Sequence, residues 1–237
     1  MTQYQYDAQG NLKQISDPLL HTVTHQFDAL NRLTQTIDPA NGRIRQERDA
    51  LDQITRVSDP RDIATAYTYN GFGDVIQEVS ADLGTTAYTY DSAGNVKTVL
   101  DARGVKHTYS WDALNRPIQR AHSAPAGVLA TATIAWSYDT GVNGIGWLTG
   151  MTDESGSTGF GYDPYGRLLI KTQLVKLGNV NYARTVSYQY DSAGRASQMV
   201  YPSGVQISTL YGADSRPVEI RVNGQPLIGN IAYHRLR

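Results

Sequence analysis

Tyr88-Thr89-Tyr90-Asp91-Ser92-Ala93-Gly94-Asn95-Val96, followed by Asp101-Ala102-Arg103-Gly104, recurs in close copies along almost all of the 237 residues. Take the Asp after the aromatic as a marker. It falls at Asp7, Asp28, Asp49, Asn70, Asp91 and Asp112 with a constant spacing of 21, then at Asp139, Asp163, Asp191 and Gly212 with spacings of 27, 24, 28 and 21. A fixed period in this range is the mark of a repeat architecture. The residue before the marker is Tyr6, Phe27, Arg48, Tyr69, Tyr90, Trp111, Tyr138, Tyr162, Tyr190 or Tyr211. Two positions earlier stand Tyr4, His25, Gln46, Tyr67, Tyr88, Tyr109, Trp136, Phe160, Tyr188 and Thr209. Positions two apart lie on one face of a strand, so most units open with a strand carrying paired aromatics.

The unit reads as strand, tight turn, strand, second turn. In the first turn Asp91 is placed to hydrogen-bond the backbone ahead of it, and Gly94 supplies a residue that accepts positive φ, the pattern of a type I turn closed by a left-handed bulge position. The same pair of slots holds Asp7 and Gly10, Asp28 and Asn31, Asp112 and Asn115, Asp163 and Gly166, and Asp191 and Gly194. The returning strand starts at Leu12, Leu33, Ile54, Val75, Val96 or Leu168, with Pro117 and Pro217 as deviations. It ends at a second turn signal: Asp17-Pro18, Asp38-Pro39 with Gly42, Asp59-Pro60, Asp82 with Gly84, Asp101 with Gly104, Asp153 with Gly156, and Tyr201-Pro202 with Gly204.

These units predict one all-β antiparallel hairpin array over residues 1–237: regular at 4–120, with insertions at 121–230, and an incomplete last unit at 231–237. A single hairpin cannot bury a core, so each must pair with its neighbours. About twenty consecutive strands exceed the roughly ten that a twisted open sheet carries before it curls, so the sheet is expected to curl into a wall. Tyr6, Tyr69, Tyr90, Trp111, Tyr138, Tyr162 and Tyr190 are the expected wall aromatics, because these rings can be buried while their polar tips still find hydrogen bonds.

Composition narrows the function. A formal net charge of −1 offers no basic footprint for nucleic acid or an anionic membrane. Cysteine is absent, which removes disulfides, thiolate metal sites and thiol nucleophiles. No apolar run is long enough to span a bilayer as a helix, and Met1-Thr2-Gln3-Tyr4-Gln5 lacks the features of a signal peptide. The chain enters its repeat at once, as a piece of something longer would.

The recurring Tyr-Asp-x-x-Gly-Asn/Arg-Leu/Val of Tyr6 to Leu12, Tyr90 to Val96 and Tyr162 to Leu168 resembles the YD repeat of the RHS family, as does Tyr190 to Arg195. That family includes bacterial Rhs polymorphic toxins, the C component of insecticidal Tc toxin complexes, wall-associated proteins and animal teneurins. Gly144-Ile145-Gly146-Trp147-Leu148-Thr149-Gly150-Met151-Thr152-Asp153 resembles a recurrent segment of bacterial Rhs proteins, with Trp147 where Arg is usual. The resemblance implies a spiralling β-ribbon forming part of a hollow shell that encloses a C-terminal toxin domain of a secreted or delivered bacterial protein. It also implies that the aspartates and tyrosines above are turn and wall elements without catalytic roles, and that no cofactor is needed. The expected partners are other RHS repeats, the toxin domain, and a second copy through exposed end strands.

Other chemistry reads more weakly. Paired acids for glycoside hydrolysis would need one unique pair, whereas these aspartates repeat identically in every unit. His21 and His25 are four apart without a third metal ligand, and His107, His122 and His234 are scattered, so no metal site is expected. Asp163-Pro164-Tyr165-Gly166 is superficially like a self-cleavage signal but sits in the ordinary turn slot. Gly144-Ile145-Gly146 lacks the third glycine spacing and helix of a dinucleotide site. The main alternative is a surface adhesion or glycan-binding module, in which Trp136 or Trp147 would stack on sugar rings.

Overall fold

The computed structural model describes residues 1–129, 131–178 and 180–233. Among them are 21 strands, all paired antiparallel, and no helix. The last residues of the incomplete unit, with His234, lie outside the described residues. The chain divides into two compact units, Met1–Thr108 with His122–Ala130, and Tyr109–Ala121 with Thr131–Arg237.

In the first unit the strands are β1 (Gln3–Tyr6), β2 (Leu12–Ser16), β3 (Thr22–Phe27), β4 (Leu33–Ile37) and β5 (Arg43–Arg48). There follow β6 (Ile54–Ser58), β7 (Ala64–Tyr69), β8 (Val75–Ser80), β9 (Gly84–Tyr90), β10 (Val96–Leu100) and the start of β11 (Lys106–Trp111). Each pairs with its neighbour in the chain, as in Tyr88↔Val99 between β9 and β10 and Val99↔His107 between β10 and β11. The second unit holds the rest of β11, then most of β12 (Pro117–Ser123), and β13 (Ile134–Tyr138), β14 (Leu148–Asp153), β15 (Gly156–Tyr162) and β16 (Leu168–Leu177). It ends with β17 (Val180–Tyr190), β18 (Ala196–Val200), β19 (Gln206–Tyr211), β20 (Pro217–Val222) and β21 (Gln225–Ile228), and from β12 onward the neighbour-to-neighbour pairing is unbroken.

Branched and aromatic residues explain why these short segments are strands. Ala64-Thr-Ala-Tyr-Thr-Tyr69 is one example, and burial there partly follows the two-residue period of a pleated strand. Yet Val105 is the one buried hydrophobic residue among those described, beside Ser58, Thr158 and Asp163 as buried polar residues. No second layer covers the strands of either unit. Cohesion therefore comes from lateral pairing and from what happens at the turns.

In each unit, most turns at both strand ends share one form. At Asp91 the N–H donates to Asn95 O and Gly94 N–H donates back to Asp91 O, and Asp101 with Val105 and Gly104 repeats this at the opposite edge. The marker of 21 residues is thus two strand-and-turn steps of ten or eleven. The second-edge positions differ in detail from the sequence reading. At Asp38 the left-handed residue is Asn41 (φ 67°) instead of Gly42, and at Asp17 it is Leu20 (φ 67°). Between β8 and β9 the turn starts at Ser80, whose Oγ accepts from Leu83 N–H, rather than at Asp82. Asp153 and Gly156 close a tighter turn, with φ 137° at Gly156, where a Cβ would lie 1.8 Å from Leu174 O.

The tyrosine-aspartate edge as candidate functional site

In each unit the features that single this chain out meet where the first turn of each hairpin closes. In most first-edge turns the Asp uses both carboxylate oxygens, whereas Asp49 accepts the Leu51 and Gln53 N–H groups through Oδ1. Asp91 Oδ1 accepts the N–H groups of Ala93 and Asn95, both at 2.9 Å, and Oδ2 accepts from Asn95 Nδ2 at 3.1 Å. Asp7 binds Gln9, Asn11 and the Asn11 side chain in the same way. Where the residue after the left-handed position is Arg, its Nε takes the Oδ2 place: Arg32 on Asp28 at 2.8 Å, Arg116 on Asp112 at 2.7 Å, Arg167 on Asp163 at 2.6 Å and Arg195 on Asp191 at 2.7 Å. The left-handed slots are Gly10 (φ 88°), Asn31 (61°), Gly94 (85°), Asn115 (59°), Gly166 (78°) and Gly194 (80°). Glycine and Asn tolerate that region because they lack, or offset by local hydrogen bonds, the clash of a Cβ with the backbone.

These contacts set the charge. The Arg32 side chain, then its backbone N–H, holds the Asp28 carboxyl below the usual carboxylate range, and for Asp91 the Asn95 backbone N–H does most. Asp139, gripped by Arg116 and by Gly146 N–H, is brought down to about 2. The enlarged turn from Asp139 to Leu148 therefore keeps the same anchor, with Gly146 N–H at 2.6 Å from Asp139 Oδ1.

The tyrosines do something that spacing alone did not disclose. Ladders between successive hairpins stop short of this edge: β8 and β9 pair as far as Gln77↔Ala87, leaving the carbonyl of Val75 beyond the last rung. Tyr90 Oη donates to that carbonyl at 2.7 Å. Tyr69 does the same to Ile54 O (2.7 Å), Tyr138 to Pro117 O (3.0 Å), Tyr162 to Leu148 O (2.6 Å) and Tyr190 to Leu168 O (2.9 Å). Tyr211 and Tyr233 reach Ala196 O and Pro217 O. Every acceptor is the first residue of a returning strand, one hairpin back. Tyr6 is exposed, and Trp111 lies stacked with Tyr109 at 6.3 Å between ring centroids.

Arginine links the two networks. Arg116 sits 4.4 Å from the Tyr138 ring centroid, Arg167 4.5 Å from Tyr190 and Arg195 4.5 Å from Tyr211, so one guanidinium closes its own turn and covers the tyrosine of the next hairpin. Arg116 also reaches Asp139, and Arg32 reaches Asp52, at 3.2 Å in the latter case. The signal was present in the sequence as a recurring Asn or Arg after the glycine slot. Chemically, carboxylates spent on backbone N–H groups and hydroxyls spent on carbonyls make a fastening edge.

The histidines fall into two groups. His21 Nδ1 lies 2.8 Å from Asp17 Oδ2, whereas His25 Nδ1 lies 3.1 Å from Thr36 Oγ1, so the two do not converge. His107 and His122, far apart in sequence, are brought to 2.6 Å between their Nδ1 atoms, edge to face. No cluster of three metal-ligating side chains occurs among the described residues. Trp147 stacks on Tyr162 at 5.5 Å and covers Gly166, where a Cβ would lie 2.4 Å from its ring.

The chain as a whole is similar to known proteins. The teneurin YD-shell family model matches residues 1–128, and the RHS repeat model matches residues 143–176. No curated protein matches. Among solved structures, TcdB2-TccC3 without its hypervariable C-terminal region superimposes with a TM-score of 0.77 at 15% identity over 98% of this chain. The Photorhabdus luminescens Tc holotoxin pore does so with a TM-score of 0.75, also at 15% identity over 98% of the chain. This chain spans 15% of the length of each of those proteins. With the Tyr-Asp fastening repeated hairpin after hairpin and the family model matching more than half of its residues, the chain belongs to the teneurin YD-shell family of RHS repeat proteins.

Proposed function

We propose that this chain is a non-enzymatic segment of the wall of an Rhs-type shell, and that the shell encloses and carries a C-terminal toxin or effector domain of a larger secreted or delivered protein. The observation that carries this reading is the missing core. A chain of 237 residues with a single buried hydrophobic residue among those described is built as a layer, and a layer earns its stability from lateral pairing while leaving its faces for other contents. Tyrosine clasps at successive hairpins, from Tyr69 to Tyr233, suit a barrier, because they close the gaps where the ladders stop. On this reading residues 1–237 form one continuous array, the named aspartates and glycines are turn fasteners, and the named aromatics are wall elements. The test is limited proteolysis of the full-length protein. The effector region should resist cleavage until the repeat region is destabilised, and an effector as sensitive in the intact protein as in isolation would refute enclosure.

The glycan-binding alternative draws on the exposed aromatics. Against it, Trp147 is already committed to Tyr162 and Gly166. Trp147→Ala should therefore lower the unfolding midpoint; a glycan array signal lost with unchanged stability would favour the alternative.

A further inference from the structure

The insertion at 171–184 makes β16 and β17 far longer than their neighbours, and it leaves an edge open in the interior of the second unit. β17 pairs with β16 along its length, from Leu177↔Val180 to Ile170↔Ser187. On its other side β18 pairs only from Tyr190 to Ser187↔Val200, after which the chain turns away at Tyr201–Gly204. Asp191 directs its N–H and carbonyl towards the start of β18, bonding Arg195 O and Gly194 N–H. Backbone polar groups alternate sides along a strand, so Thr185, Ala183 and Asn181 present theirs to the same side, where no described strand meets them.

We infer that this edge, Val180–Val186, is a self-pairing surface through which two copies of the chain join in one antiparallel sheet. The sequence of the edge points to a second copy rather than to any extended peptide. Read outward from Ala183 it is self-complementary. In a two-fold antiparallel pairing Ala183 meets Ala183, Tyr182 meets Arg184, Asn181 meets Thr185 and Val180 meets Val186. Each rung is favourable: apolar on apolar, amide on hydroxyl, and a guanidinium against an aromatic ring on the same face. The side chains of Tyr182 and Arg184 make no hydrogen bond or ion pair among the described residues, and Tyr182 and Val180 are exposed. The open stretch is as long as the self-complementary stretch, because the turn at Tyr201–Gly204 ends the notch beside Val186. Pairing of one hairpin on another covers a small area, so the dimer is concentration-dependent. This inference goes beyond the wall reading and stands without it.

The chain has no cysteine, so Ala183→Cys introduces the only thiol. In the inferred register the two Cys side chains face each other with Cα atoms about 5.5 Å apart, within disulfide reach. Mild oxidation should yield a covalent dimer from A183C and none from Ser203→Cys in the adjoining turn. In sedimentation the unmodified chain should show a monomer–dimer equilibrium that Ala183→Pro abolishes with an unchanged circular dichroism spectrum, since the Ala183 N–H is not used by β16. A chain that stays monomeric at high concentration overturns the inference, whether or not the edge takes up other peptides. A dimer that survives A183P, or that is lost instead on Tyr4→Pro in β1, overturns it as well.

Discussion

A tyrosine hydroxyl bonded to a backbone carbonyl one hairpin away is the smallest unit of cohesion here. Tyr90→Phe keeps the ring and removes only the bond to Val75 O, and should cost about 0.5–1.5 kcal/mol in urea unfolding, whereas Tyr6→Phe should stay within about 0.5 kcal/mol. The glycine slots separate conformation from packing. At Gly94 nothing lies within 4 Å of an added Cβ, so Gly94→Ala should cost about 1–2 kcal/mol for the left-handed backbone alone. Gly166→Ala should cost more, by roughly a further 1–3 kcal/mol, because the methyl meets the Trp147 ring; equal losses would show that the Trp147 contact is dispensable. The Asp-to-Gly turn was legible because its parts are adjacent in sequence. The tyrosine's partner was not, since it lies in the preceding hairpin and its availability depends on where a ladder ends.

At the scale of the element, the period itself makes a prediction. Removing residues 28–48 joins Phe27 to Asp49, deletes two strand-and-turn steps, and leaves every remaining strand with its side chains on the same face. That variant should keep a β-sheet circular dichroism spectrum with a modestly lower unfolding midpoint, as expected when each repeat mainly contacts its neighbours. Removing 28–47 instead should abolish cooperative folding, because a one-residue slip turns the following strand over. Equal behaviour of the two deletions would deny that register is set turn by turn. The hairpins were legible in the sequence, the turns at the second edge only coarsely. Gly42 and Asp82 signalled turns there, but the backbone turns at Asn41 and Ser80, since hydrogen-bonding side chains such as Asn suit the left-handed region too.

For the molecule as a whole, the many fastened carboxylates and tyrosines bound its stability in pH. Asp28, Asp91, Asp112 and Asp191 are all held below their ordinary values, and Asp139 at about 2. A carboxyl lowered by folding contributes stability that is complete above its unfolded value near about 3.9. That contribution is lost as pH falls through the folded value, so unfolding midpoints should drop between about pH 4 and 2. Burial, aided by Asp74, pushes the Tyr90 hydroxyl up, and burial does the same at Tyr162. Raised groups lose their contribution on the alkaline side, above about pH 10. A midpoint unchanged from pH 7 to pH 2 would mean that the turn carboxylates do not hold the fold. What the sequence determined by itself was everything that depends on near neighbours along the chain: strands, turns, their period, and the family they announce. Only the tertiary structure decided which distant groups meet, from the Tyr90 clasp on Val75 to the His107–His122 pair and the open edge of β17, because those depend on how far each ladder runs before its partner turns away.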